Sequence, residues 1–521
     1  MNNIQVTSAA DIIGEWGPWQ RKLIIFFTCV YAISPFQNLG IMFYAPKIKF
    51  WCVRPEGYEN ITLSTECKSY TNINESCSNW EYDTSIFEST IIAEWNLVCD
   101  RSWLASAAAS SYQFGYAVSA LLFGYLSDKY GRLPIMKIAI ILEIVSGFCQ
   151  ALSLSIEMFM ISRFFLGLTA YGRYLTGYLL IMECVGCSYR AAISVVIEAG
   201  WVVGYLLLPG LAYALRNFRY MQITVSSLEL ISLIWLWQMP ESPRWQLTNG
   251  HIDEAESAIK NAAVVNGKFT EEEIEQKIEL LKEYVNREER AKEVNKQSLL
   301  DMWRVGKLFK YSMVLYCSWF INSFVYYGLS LNVGDLGGNL FINCFIYALA
   351  ELASNVFLYF AFMKCGRRPL FVSLMLGAAI TCFAIIPFLF NESFILYRVV
   401  IAMIGKFCIT STYHLIYLQT AEIIPTSLRQ IGVGSCSVAA RVGSVIAPFV
   451  KELSALTHPS VTMSLFGSLG TLNALLALIL PETKGVEIPD TINEAKKMGK
   501  SLTEIKLEPD FDNKEKDVEK L

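Results

Sequence analysis

Three short charged motifs occur twice in this chain of 521 residues, in the same order both times. Asp128-Lys129-Tyr130-Gly131-Arg132 recurs, altered, as Lys364-Cys365-Gly366-Arg367-Arg368. Glu183 and Arg190 recur as Glu422 and Arg429, and Pro240-Glu241-Ser242 recurs as Pro481-Glu482-Thr483. Copies stand apart by a nearly constant roughly 240 residues, as a duplicated half-chain requires. The fold must therefore contain one structural unit twice.

That unit belongs in a bilayer. The chain is 54% hydrophobic and 17% charged, whereas charged residues make up about a quarter of an ordinary soluble domain. A helix needs about 20 mostly apolar residues to span the hydrocarbon, and twelve such runs are present, six on each side of a charged stretch. The expected fold is all-α, with twelve transmembrane helices in two pseudo-symmetric six-helix bundles. Its divisions are a cytoplasmic N-terminus at 1–22, a first bundle at 23–239 with an outer loop at 44–102, a cytoplasmic insert at 240–310, a second bundle at 311–480 and a cytoplasmic tail at 481–521. The first residues lack the basic, apolar and cleavable regions of a signal peptide, so the first run is expected to remain as an anchor. A net charge of -4 without a concentrated basic surface excludes nucleic acid as a partner.

Basic residues in short loops favour the cytoplasm. Lys129, Arg132 and Lys137 mark one such loop and Lys364, Arg367 and Arg368 another, which places both termini inside; Arg216 and Arg219 break the rule. This orientation exports the 44–102 loop, with Cys52, Cys67, Cys77 and Cys99 open to three disulfide pairings. The loop also carries two glycosylation sequons, at Asn60 and Asn74. In the insert, Ile252, Ala255, Ala258, Ile259 and Ala262 form one helical stripe and Ile274, Ile278, Leu281 and Val285 a second. The end of the tail has the composition of a disordered segment.

Seven ionisable residues interrupt the apolar runs: Glu143, Arg173, Glu198, Glu229, Glu351, Lys406 and Arg441. Each costs about 2.5–3.5 kcal/mol at mid-bilayer on insertion scales, so they must face a wet cavity or one another. Counting helical rise from the inner motifs puts Arg441 and Glu351 both about 18 Å deep, able to share a midplane site. Arg173 and Glu198 form a second expected pair, either a bridge between spans four and five or a substrate contact. Lys406 is expected on a wet face with Phe407, Thr410, Thr412 and Tyr413. Tyr31, Gln113, Trp201, Tyr205, Tyr326 and Tyr327 are cavity candidates, although ordinary helix packing also explains the aromatics.

The repeated motifs carry a different chemistry. Asp128 can sit at the positive end of a neighbouring helix, while Lys129 and Arg132 can pair with Glu183 or Glu241. Such pairs would break when the inner face opens, a conformational latch in which Arg190, Arg244, Glu422 and Arg429 join by position; a purely topological role is the plainer alternative. Met363 stands where the second copy should have its Asp, so the second latch is expected to be weaker or absent.

Enzyme chemistry finds little purchase. The chain has no Gly-x4-Gly-Lys-Ser/Thr phosphate loop. Cys184-Val-Gly-Cys187 lacks a second ligand pair, and the three histidines have no metal-site spacing. No catalytic residue, metal or cofactor is expected.

Further motifs run almost the length of the chain: Gly14-Glu-Trp-Gly-Pro-Trp-Gln20, Trp95-Asn-Leu-Val-Cys99-Asp100, Pro240-Glu-Ser-Pro-Arg244-Trp245, Gly405-Lys406-Phe407, Glu422-Ile-Ile-Pro425-Thr-Ser-Leu-Arg429 and Pro481-Glu-Thr-Lys-Gly485. In these the chain resembles the organic cation, organic anion and carnitine transporter family of the major facilitator superfamily. The resemblance implies a plasma-membrane carrier working by alternating access. It also implies that Arg441 occupies the selectivity position of span eleven, in the form found in anion and carnitine carriers, and Glu351 the acidic position of span eight. Asn355 departs from the pattern, because anion carriers tend to have Lys there. The expected partners are a small organic ion, a co-transported or exchanged ion and the bilayer. With an Arg and a Glu at matching depth, a carnitine- or betaine-like zwitterion or an organic anion is the expected substrate. An organic cation is the alternative, and a non-transporting receptor or scaffold on the same fold is the alternative from another class.

Overall fold

A computed structural model describes residues 9–53, 67, 77, 79–186, 188–237, 239–270, 272–282, 303–426, 428–486 and 489. Twelve long helical segments appear in the expected order. They are α1 (Pro18–Tyr44), α2 (Trp103–Tyr130), α3 (Arg132–Ala151), α4 (Ile156–Cys184), α5 (Arg190–Leu215) and α6 (Phe218–Leu236). After the insert come α7 (Gly306–Leu331), α8 (Leu340–Lys364), α9 (Arg367–Ala384), α10 (Ile395–Ile423), α11 (Arg429–Ile446) and α12 (Ser460–Ala477). Eight of them are long and apolar enough to cross a membrane by length and composition alone.

Local sequence explains where these helices begin and break. Ser155 and Asn339 cap α4 and α8, accepting from Met158 N–H and from Phe341 and Ile342 N–H. Helix α1 is interrupted at Ala32–Ile33 and resumes at Ser34–Leu39, with Pro35 in its first turn. At that break the Val30 carbonyl accepts from Ile33 N–H at 3.2 Å and also takes a side-chain donor. Gly115 and Gly167 let α2 and α4 touch backbone to backbone, since a Cβ on either would collide with the carbonyl of Phe164 or Tyr112.

The bundles meet along α2 with α11 and α5 with α8. At the end bearing the 44–102 loop, Ser102 and Ser106 donate to the Glu452 carboxylate at 3.0 and 2.7 Å, and Ser110 donates to Val445 O at 2.7 Å. There too Phe341 packs on Phe43, Phe87 and Tyr213. The loop end is thus closed by contacts between the halves.

The loop is stapled by two disulfides, Cys52–Cys77 and Cys67–Cys99, which resolves the three pairings to one. The first joins the strands β1 (Phe50–Cys52) and β2 (Trp80–Tyr82), paired antiparallel. Asn60 and Asn74 lie outside the described residues, as does the tail beyond 489. Arg219, one of the two basic residues at odds with the charge rule, pairs with Glu94 of this loop and donates to the Ser153 carbonyl at 2.7 Å.

At the opposite end, Ala255, Ile259, Ala262, Ile274, Ile278 and Leu281 of the insert form a small core of their own with Ile12 and Ile13 of the N-terminal segment. Val285 of the second stripe lies outside the described residues. Asn266 fastens the two parts: it accepts from Trp19 N–H at 3.0 Å and donates to Ile13 O at 2.9 Å and Gln20 Oε1 at 2.8 Å.

Candidate functional site

Two symmetry-related charge clusters, made of the residues expected to form a lock, stand at the insert end. In the first, Arg132 pairs with Glu183 at 3.1 Å and with Asp128 one turn back at 2.5 Å. Glu241 accepts from the backbone N–H of Arg132 and Leu133, so Glu241, not Asp128, is the acid at a helix N-terminus. Ser242 donates to Glu183. Gly131 adopts a φ of +103°, and a Cβ there would sit 2.5 Å from a Glu241 carboxylate oxygen; glycine gives both the turn and the room. Lys129 pairs with neither expected acid and instead lies over the Tyr130 ring. Arg190 and Arg244 line a cavity beside Asp128, Arg132 and Glu183.

The second lock is not lost. Arg367 pairs with Glu422 at 3.4 Å, Glu482 accepts from Arg367 and Arg368 N–H at 2.8 and 3.2 Å, and Thr483 donates to Glu422. Only the Asp of the first copy is missing, because the acid that caps the helix comes from the Pro-Glu motif and is present in both. Arg429 begins α11, as Arg190 begins α5.

The intramembrane charges pair differently from their depths. Glu351 does not meet Arg441: it accepts from Tyr326 Oη at 2.9 Å and lies 3.5 Å from Lys406 Nζ. Lys406 itself is fully buried, donates to Ser330 Oγ at 2.8 Å and stands 3.5 Å over the Tyr326 ring. The face read as wet is packed: Thr410 and Thr412 are buried, and Thr412 donates to Asn322. Lys406 therefore holds Glu351 from within the second bundle. Asn355, one turn on from Glu351, is half-buried.

Arg173 does not meet Glu198 either. It forms a bidentate pair with Glu143, at 2.6 and 3.0 Å, inside the first bundle. Its remaining donors reach Val30 O and Ser34 Oγ, both at 3.1 Å, at the break in α1. Glu198 is half-buried and accepts from Tyr174 Oη at 3.1 Å.

Arg441 and Glu198 thus each lack an ion-pair partner among the described residues. Arg441, from the second bundle, is clasped by two rings of the first, its guanidinium carbon 5.1 Å from the centre of Tyr116 and 4.9 Å from that of Tyr171. Tyr327 and Tyr413 both pack on Tyr326, at 5.2 and 5.4 Å between ring centres. Glu198 stands beside an aromatic wall in which Tyr31 stacks on Tyr174 at 4.6 Å and lies tilted against Trp201 at 6.0 Å. Tyr171, under Arg441, lies 6.0 Å ring to ring from Tyr174, whose hydroxyl reaches Glu198, so one run of aromatic side chains joins the two residues. Gln113 donates to Asn38 at 3.1 Å, one turn along α2 from Tyr116.

Sequence reasoning left Tyr116, Tyr171 and Tyr174 unassigned and gave Glu198 the wrong partner. A signal for the last two was present: Tyr171, Tyr174 and Tyr178 recur at helical spacing on α4, on the face that also carries polar contacts to α5.

The comparisons agree with this architecture. The family model described as "Sugar (and other) transporter" matches residues 59–493. An organic cation transporter protein of Drosophila melanogaster is 33% identical over 94% of both chains. Human organic cation/carnitine transporter 2 is 28% identical over 92% of both, and human solute carrier family 22 member 2 is 33% identical over 80% of this chain and 73% of its own. Among solved structures, the proton:xylose symporter XylE superposes with a TM-score of 0.62 at 18% identity, over 91% of this chain and 98% of that one. The chain therefore belongs to the organic cation and carnitine transporter family of the major facilitator superfamily, a multi-pass membrane transporter rather than an enzyme.

Proposed function

We propose that the protein carries a small zwitterion of the carnitine or betaine kind across the plasma membrane by alternating access, with both termini in the cytoplasm and the disulfide loop outside. The observation that carries this reading is that the Arg441 guanidinium and the Glu198 carboxyl, neither with an ion-pair partner among the described residues, are joined by one run of aromatic rings. A substrate carboxylate on Arg441 and an ammonium on Glu198 leave no charge stranded at low dielectric. The wall of Tyr31, Tyr174 and Trp201 offers ring faces to a quaternary ammonium.

Glu351 is already matched by Lys406 and sets the shape and polarity of the second bundle's side of the site. A simple anion would meet Arg441 but leave Glu198 bare. A simple cation would meet Glu198 and the aromatic wall and leave Arg441 to its two tyrosines. Contacts across the loop end keep the bundles together there, as in a carrier closed to the outside. Opening that end would require Glu452 to release Ser102 and Ser106, while Arg132–Glu183 and Arg367–Glu422 brace the insert end of each bundle.

The experiment is uptake into vesicles holding the purified protein. Labelled carnitine should enter saturably, without ATP, and compete with betaine. A linear flux would remove the carrier reading, and saturable uptake of tetraethylammonium alone would favour the cation alternative.

A further inference from the structure

The first bundle buries two carboxylates beside the guanidinium of Arg173. Glu143 on α3 and Glu229 on α6 are 1% and 2% exposed, and Arg173 on α4 is 1% exposed. Glu143 takes both hydrogen bonds of the bidentate pair with Arg173. Glu229 lies within hydrogen-bond contact of Glu143 and accepts from Gln37 Nε2 at 3.2 Å, while its second carboxyl oxygen has no donor among the described residues. Two carboxylates in contact, buried together, cannot both stay ionised beside a single cation. A proton on the orphaned oxygen of Glu229 turns the clash into a hydrogen bond and leaves the cluster neutral.

The other charged and titratable groups around the cluster do not alter this count. Arg163 of α4 donates to Ala108 O and Gln37 O and lies over the Tyr44 and Tyr112 rings, with no ion pair among the described residues. Tyr44 donates to Gln222 Oε1 at 2.8 Å. Tyr112 and Tyr116 of α2 are ring neighbours of one another.

We propose that Glu143 and Glu229 form a proton-binding site, holding one exchangeable proton between them, and that its occupancy controls the substrate site through α1. A hydrogen-bonded polar file leads away from the site: Glu229, Gln37, Gln222 and Gln150 are joined at 3.2, 3.1 and 3.3 Å toward the loop end, where α3 finishes. The link to substrate is Arg173, which holds Val30 O and Ser34 Oγ on either side of the break in α1. Tyr31, next to Val30, is the ring that packs on Tyr174 and Trp201 beside Glu198. Loss of the proton adds a negative charge beside Arg173 and draws it from the α1 break, shifting Tyr31.

The test needs no transported substrate at its first stage. Infrared spectra of the purified protein in lipid should show the C=O stretch of a protonated carboxylic acid that fades reversibly as pH is raised. This band should be lost in Glu229→Gln and equally in Glu143→Gln, because either change leaves one acid for one guanidinium. A band that survives both substitutions, or one that no pH in the stable range alters, overturns the proposal. At the second stage, uptake of carnitine, or of tetraethylammonium if carnitine is not carried, should vary with outside pH in the wild type and become flat in Glu229→Gln, with exchange of labelled for unlabelled substrate retained. A pH profile unchanged by Glu229→Gln overturns the link to transport whichever of the two substrates is carried.

Discussion

Lys406 Nζ lies 3.5 Å from the Glu351 carboxylate, both of them buried within the second bundle. The pair removes Glu351 from the roster of free charges and leaves Arg441 facing the other bundle. Breaking one partner of a buried pair strands the other charge, at about 3–5 kcal/mol. Lys406→Met and Glu351→Gln should each lower the melting temperature markedly. The double variant should be less destabilised than the sum of the two, because contacting residues are not additive. Strict additivity in a thermal-stability assay would mean that the two side chains do not interact.

The lock at Glu482 gives a pH prediction. Burial opposes ionisation there, but backbone N–H donors from Lys484, Arg367, Arg368 and Thr483 outweigh it and hold the carboxyl below its ordinary value. A group lowered in the folded state adds stability above its unfolded pKa and loses it as pH falls through the folded one. Glu482→Gln should therefore destabilise the protein at neutral pH, and the gap from wild type should close in acid. A gap that is the same from neutral to acid pH would show that the charge is not what Glu482 contributes.

The loop staples predict a pattern of equivalence. Cys52→Ser and Cys77→Ser should reduce surface delivery alike, and the double variant should be no worse than either. Cys67→Ser with Cys99→Ser should behave the same way, each lost bridge costing about 2–5 kcal/mol in a small external domain. Thiol labelling of single variants checks the pairing directly: removing Cys52 must expose Cys77 and no other. Removing both Asn60 and Asn74 should abolish the mobility shift produced by deglycosylation; a surviving shift would place the glycan elsewhere.

The extent of the fold was legible because apolar runs and basic loops report directly on membrane crossings. The twelve helices therefore fall where the sequence puts them. What depth counting does not report is azimuth. Arg441 and Glu351 sit at similar depth, yet Glu351 points to α10, where Lys406 waits, and Arg173 turns to α3 and Glu143 instead of to Glu198. The second lock keeps its Arg367–Glu422 pair at 3.4 Å but, as the sequence predicts, lacks the Asp of the first. Its missing Asp is visible in the sequence, whereas the capping role of Glu482 depends on a return of the chain to the start of α9. Tyr116 and Tyr171 escaped notice because a ring becomes a site only when a charge from the other bundle comes to rest on it.

If Arg441 and Glu198 receive the two ends of a zwitterion, competitive uptake of carnitine and tetraethylammonium by wild type, Glu198→Gln and Arg441→Asp will show it. Wild type should prefer carnitine, Arg441→Asp should abolish carnitine uptake and admit tetraethylammonium, and Glu198→Gln should weaken both cationic contacts by about tenfold or more, the loss expected when a charged hydrogen-bonding partner worth roughly 1.5–3 kcal/mol is removed. Wild-type preference for tetraethylammonium, unchanged in both variants, would contradict it.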